Sequence, residues 1–110
     1  MLNDMQKAWV EETLERVAKK MEKVSVRSAH KIPYTTINGV HDDKSNDREN
    51  GWWTNGFWGG LMWLMHIGTG NDVYKVSAEK NEEFLDEAFK SFFGLHHDVG
   101  FMWHLTAGVN

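Results

Sequence analysis

The chain has 110 residues, enough for one small domain, with 41% hydrophobic and 13% aromatic residues including six tryptophans, which sets it apart from disordered sequences. It has no cysteine, which excludes disulfides and thiolate metal sites and permits a reducing compartment. A formal net charge of −4 without a Lys/Arg cluster argues against a nucleic-acid partner, because such binding is dominated by neutralising phosphates.

In chain order, residues 3–24 are expected to form an amphipathic helix. Val10, Leu14, Val17, Met21 and Val24 recur at alternating spacings of four and three, with Glu and Lys opposite, and Asn3 followed by Gln6 has the form of a capping box. From Ser25 to Gly51 the periodicity is lost. This stretch holds the only proline and reads as a long connection, of a length that usually borders a site or is disordered.

Residues 53–68, WTNGFWGGLMWLMHIG, are apolar on every side and predict a helix buried within a larger body. Gly59 and Gly60 there imply the close approach of another backbone. The stretch is too short and too glycine-rich to span a bilayer, and the first residues do not form a signal peptide, so the chain reads as soluble and cytoplasmic, with no membrane partner.

TGND is a turn with Asn71 as N-cap, and Phe84, Leu85, Ala88, Phe89, Phe92 and Phe93 form the apolar stripe of a third helix over 72–93, stopped by Gly94. FMWHLTAGVN then reads as the first turns of a fourth helix, in which the sequence ends. No segment has strand periodicity, and the fold class is all-α, built of helical hairpins. Three helices and a fragment supply few partners for a helix that is apolar all round, so either copies associate through apolar faces or the piece is the front of a longer protein.

HHDV, residues 96–99, places titratable groups at the start of that fourth helix. By position Asp98 is expected to cap the helix N-terminus, a role compatible with catalysis because that end favours the carboxylate. Adjacent histidines tend to point apart, and with no HExxH pattern the expectation is that no metal is bound. Trp52 and Trp53 sit at the mouth of the second helix, where a half-exposed indole can stack on a sugar; otherwise these two, with Phe57, Trp58, Trp63 and Trp103, read as core.

NGWWTNGFWGGLMWLMHIGTGN (residues 50–71) together with LHHDVGFMWHLTAGVN (residues 95–110) resembles the N-terminal part of the unsaturated glucuronyl hydrolases, glycoside hydrolase family 88. The resemblance implies that residues 1–110 are the N-terminal segment of a single (α/α)6 catalytic domain, truncated in its fourth helix. The implied activity is removal of an unsaturated uronic acid from lyase-generated oligosaccharides. The C4–C5 double bond is hydrated and the hemiketal then rearranges, with no metal or cofactor. Asp98 resembles one of the two essential aspartates, and His97 and Gly100 of the same motif resemble substrate contacts. Trp53 resembles the sugar-stacking tryptophan, a place that Trp52 or Trp58 could hold instead. The second aspartate belongs to a motif of the form IDCMMNL that this chain lacks, so the segment alone is expected to be inactive. Two alternatives remain: an unsaturated rhamnogalacturonyl hydrolase-like enzyme, and a non-catalytic helical fragment that self-associates.

Overall fold

A computed structural model describes residues 1–46, 48–92 and 94–110. It is all-α apart from one two-stranded hairpin, with helices α1 (Asp4–Arg27), α2 (Gly56–Thr69), α3 (Asp72–Ser91) and α4 (Gly100–His104).

α1 begins with a complete capping box. The Asn3 side chain accepts from the Gln6 N–H at 2.8 Å, and Gln6 Oε1 accepts from the Asn3 N–H at 2.9 Å. The helix runs three residues past the expected end, because its last turn is buried through Ser25 and Ser28. Of the expected stripe only Met21 is buried and Val24 packs beside it, while Val10, Leu14 and Val17 stay exposed. α1 therefore docks by its second half.

The stretch expected to be one long connection contains an antiparallel hairpin, β1 (Thr36–Ile37) and β2 (Val40–His41), which corrects the expectation of no strand. Two residues per arm are too few to show an alternation. Its local signal is the turn Asn38-Gly39, with φ of 51° and 75°, the doubly left-handed geometry of a type I′ turn. Two carboxylates pin the rest of the loop: Asp42 Oδ1 accepts from the Tyr34 and Thr35 N–H groups, and Asp43 Oδ1 from those of Ile32 and Ser45. Nearer α2, the buried Asn55 donates through Nδ2 to the carbonyls of Glu49 and Asn50, and Asn81 Nδ2 donates to the Asn55 carbonyl.

The hairpin is fastened to the body by His41, whose Nδ1 lies 2.7 Å from Ser28 Oγ and whose ring meets Trp58 edge-on at 5.7 Å. Burial, then the positive charges of Arg27 and Lys31, push the His41 pKa below its ordinary value of 6.5. The unfolded chain therefore takes up this proton first on acidification. His41 contributes its full stability above about pH 6.5 and loses it as the pH falls through the depressed value. Urea titrations between pH 7 and pH 5 should show a fall in midpoint that His41→Gln reduces; identical pH slopes for the two proteins would refute this role.

α2 and α3 form a helical hairpin. Gly70, left-handed at φ 69°, closes α2, and Asn71 caps α3 by accepting from the Val73 N–H at 3.0 Å, as expected. The main core joins Met21, Trp58, Met62, Trp63, Met65, Tyr74 and Ala78. α2 is not buried on every side as expected: Phe57, Leu61, Leu64 and Ile67 remain exposed, because no other described element covers that face.

α3 ends at Ser91 rather than near residue 93. Phe92, left-handed at φ 55°, caps it by donating to the Ala88 carbonyl, so the stop comes ahead of Gly94. Of its expected stripe Leu85 and Ala88 are buried, Phe89 and Phe92 are exposed, and Phe93 lies outside the described residues. Leu85 and Ala88 join Met102 in a second, smaller cluster that seats α4. No described helix is long and apolar enough to cross a membrane.

Candidate functional site

Residues 94–110 are held against α2 where that helix has no side chains. A Cβ on Gly56 would lie 2.2 Å from the Met102 carbonyl oxygen, and one on Gly59 would lie 2.3 Å from Asn81 Oδ1 and 2.6 Å from Thr106 Cγ2. A Cβ on Gly60 would be 3.0 Å from the Leu105 carbonyl oxygen. The close backbone approach expected at Gly59 and Gly60 is present at Gly60, where the Leu105 backbone makes it; at Gly59 the side chains of Asn81 and Thr106 take its place, and Gly56 adds the Met102 backbone one turn earlier. Met102 is fully buried, and Thr106 Oγ1 donates to its carbonyl at 2.9 Å.

This seating presents the 3-10 turn His97–Val99 at the surface. His96 Nδ1 accepts from the Asp98 N–H at 3.3 Å, which stiffens the turn. The expected capping role of Asp98 is not found. Val99 occupies the N-cap position of α4 with no side-chain cap, because the turn directs the Asp98 carboxylate at the imidazoles instead. Asp98 Oδ2 lies 3.4 Å from His97 Nε2 and 3.8 Å from His96 Nδ1. The Asp98 side chain is 34% exposed and that of His97 88%, so a carboxyl group flanked by two titratable rings is open to a ligand.

His97, Asp98 and Gly100 line a cleft of about 440 Å³ together with Phe101 and His104. A Cβ on Gly100 would meet open space. The Trp53 ring lies 5.9 Å from that of Phe101 and 5.6 Å from that of Phe57, so this tryptophan sits one ring away from the cleft. Four of the five expected site residues thus gather at one place. Trp58 does not join them: it is 7% exposed and shares a helix face with the buried Met62 and Met65 at i, i+4, i+7. No face of it is free to stack on a sugar in this structure.

Reasoning from sequence missed Phe101 and His104, which only the turn of α4 brings to the cleft. It also missed a second cleft, of about 470 Å³, lined by Tyr34, Lys44, Arg48, Glu49, Gly51, Trp52, Gly94 and His96. The signals were there in part: the unusual length of the 25–51 connection, and Trp52, which is 41% exposed. His96, His97 and Asp98 are also the one group among the described residues with three potential metal-ligand atoms, all within 4.8 Å of one another. The lone pair on His96 Nδ1 is engaged by the Asp98 N–H, and a metal bound through that nitrogen would have to displace the bond.

The chain is similar to curated hydrolases of unsaturated uronides over about half of its length. Over 56 residues it is 39% identical to the unsaturated glucuronyl hydrolase of Bacillus sp. (strain GL1), covering 50% of this chain and 15% of that protein. It is 43% identical over 56 residues to the unsaturated chondroitin disaccharide hydrolase of Streptococcus pneumoniae, covering 50% and 14%. It is 33% identical over 69 residues to the unsaturated glucuronyl hydrolase of Formosa agariphila, covering 63% and 16%. The resemblance read from the two motifs is therefore borne out, and the matched part of the chain spans about 15% of the length of these relatives. No family model and no solved structure matches the chain.

Proposed function

We propose that this chain is the N-terminal segment of an (α/α)6 hydrolase that removes unsaturated glucuronic acid from lyase-generated oligosaccharides, with Asp98 as one of its two catalytic carboxyl groups. The observation that carries this reading is the joint placement of Asp98, His97 and Gly100 in one cleft, with Trp53 one ring away. Every one of these residues lies in the two motifs that carry the resemblance.

In this reading Phe101, backed by Trp53, forms the apolar wall against which the sugar lies, and the open space above Gly100 admits the ring. His97 binds a polar group of the uronide. Asp98 lies beside the C4–C5 double bond, where water adds across it with the proton going to C4 and the hydroxyl to C5. The C5 hemiketal then opens and the remaining oligosaccharide leaves. Addition of this kind needs a second carboxyl group to complement Asp98, and the motif that would carry it is absent from this sequence. The exposed apolar face of α2 fits the same reading, since further helices of a barrel would cover it.

The test is a hybrid in which residues 33–110 replace the corresponding part of the Bacillus unsaturated glucuronyl hydrolase, assayed by loss of the double-bond absorbance of an unsaturated chondroitin disaccharide. The hybrid should turn over the disaccharide, and the 110-residue chain alone should leave it intact. A folded but inactive hybrid would overturn the reading.

A further inference from the structure

We propose that the cleft between residues 44–52 and His96 is a binding site for a second acidic sugar ring, a hexuronate held through its carboxylate by Arg48 and through its ring by Trp52 and Tyr34. That the ligand is a sugar rests on the function proposed above; that it is anionic rests on the charge arrangement of the cleft.

Among the described residues Glu49 is the only acidic one in the lining, and both of its oxygens are engaged. Oε1 accepts from Lys44 Nζ and Oε2 from Asn46 Nδ2 at 2.6 Å. Lys44 and Glu49 therefore cancel within the wall, and Lys44 is further tied over the Tyr34 ring, 5.3 Å from its centroid. Arg48 has no acidic partner among the described residues and is exposed at the cleft. Its planar guanidinium suits a carboxylate by two parallel hydrogen bonds.

The walls suit a pyranose. Trp52 and Tyr34 meet edge to face, with ring centroids 5.9 Å apart and planes at 77°, and both are about half exposed, so two roughly perpendicular aromatic surfaces border one cavity. Apolar, aromatic walls with a few placed polar groups are the usual make-up of a small-molecule site. The wall is also built rather than loose. The Asn46 side chain accepts from the Arg48 N–H at 3.1 Å, and the buried Asn55 holds the carbonyls of Glu49 and Asn50.

Position gives the site a use. His96 lines this cleft while His97 and Asp98 line the other, and His96 Nδ1 is 3.8 Å from Asp98 Oδ2. The two cavities thus meet at the His96–His97–Asp98 turn, so that one oligosaccharide can reach both.

Saturated glucuronate has no double bond to hydrate, so it reads binding independently of turnover. In an NMR titration of the 110-residue chain, glucuronate should shift the Trp52 indole N–H and the Arg48 side-chain signals, and glucose at equal concentrations should not. Arg48→Gln, at an exposed position, should keep the native spectrum and weaken binding by about tenfold, the scale of one lost charge-assisted hydrogen bond. The inference is overturned if glucose and glucuronate bind alike, if Arg48→Gln binds as tightly as the parent, or if glucuronate shifts only residues of the 97–104 cleft. An inactive hybrid in the preceding experiment would leave a positive titration standing, so the two readings fail separately.

Discussion

Replacing Gly56 by alanine should destabilise the chain by about 3 kcal/mol, at the upper end of what overpacking costs. The added methyl would sit 2.2 Å from the Met102 carbonyl oxygen and 2.8 Å from its carbonyl carbon and Cα. All three are backbone atoms, which cannot swing aside as a flexible side chain does, so α4 must move away from α2. That movement would also draw Met102 out of its contacts with Leu85 and Ala88. A domain of this size has about 5–15 kcal/mol of stability in all, so the urea midpoint should fall steeply. Gly100→Ala is the matched control: its Cβ meets open space in helical backbone, and its midpoint should be unchanged or slightly higher. Equal midpoints for Gly56→Ala and the parent would mean that α4 does not seat on α2 as described.

In the hybrid enzyme, Asp98→Asn should lower turnover by roughly 10²–10⁴-fold, the range attributed to a positioned proton-transfer group. Asparagine keeps the size of the side chain and removes the ionisable oxygen. The fold should tolerate it, because the 3-10 turn is held by the Asp98 backbone N–H on His96 rather than by the carboxylate. Turnover rate and unfolding midpoint measured on the same preparations separate the two effects. A lost rate with an unchanged midpoint is the expected pair, and a variant retaining most of its rate would remove Asp98 from the chemistry.

What could be read from the sequence depended on the range of the interaction. The Asn3–Gln6 box and the Asn71 cap involve neighbours within three residues, and both form as read. Gly59 and Gly60 announced a close approach, although not that Leu105, Thr106 and the Asn81 side chain make it. Periodicity, by contrast, gives the face of a helix and not what covers it: Val10, Leu14 and Val17 have the right spacing and stay exposed. Trp58 is buried as its core reading has it, and it was the motif, which does not distinguish it from Trp53, that also offered it a place against the sugar. Asp98 was misread as a cap because spacing cannot show that a 3-10 turn shifts the cap to Val99. The gathering of His97, Asp98, Gly100 and Trp53 was legible through the resemblance, while Phe101, Lys44 and Arg48 enter their clefts through tertiary placement.

The Asn38-Gly39 turn carries a chemical cost. Its hairpin geometry favours this dipeptide, yet the turn is exposed and no atom lies within 4 Å of where a Gly39 Cβ would be. The Gly39 amide nitrogen is therefore unshielded for attack on the Asn38 side-chain carbonyl, the cyclisation that expels ammonia and, on hydrolysis, leaves aspartate or isoaspartate. The iso form adds a methylene to the main chain inside a two-residue turn, at odds with the register that pairs Thr36 with His41. Ageing of the purified protein would thus begin at this turn and loosen first the hold of His41 on Ser28.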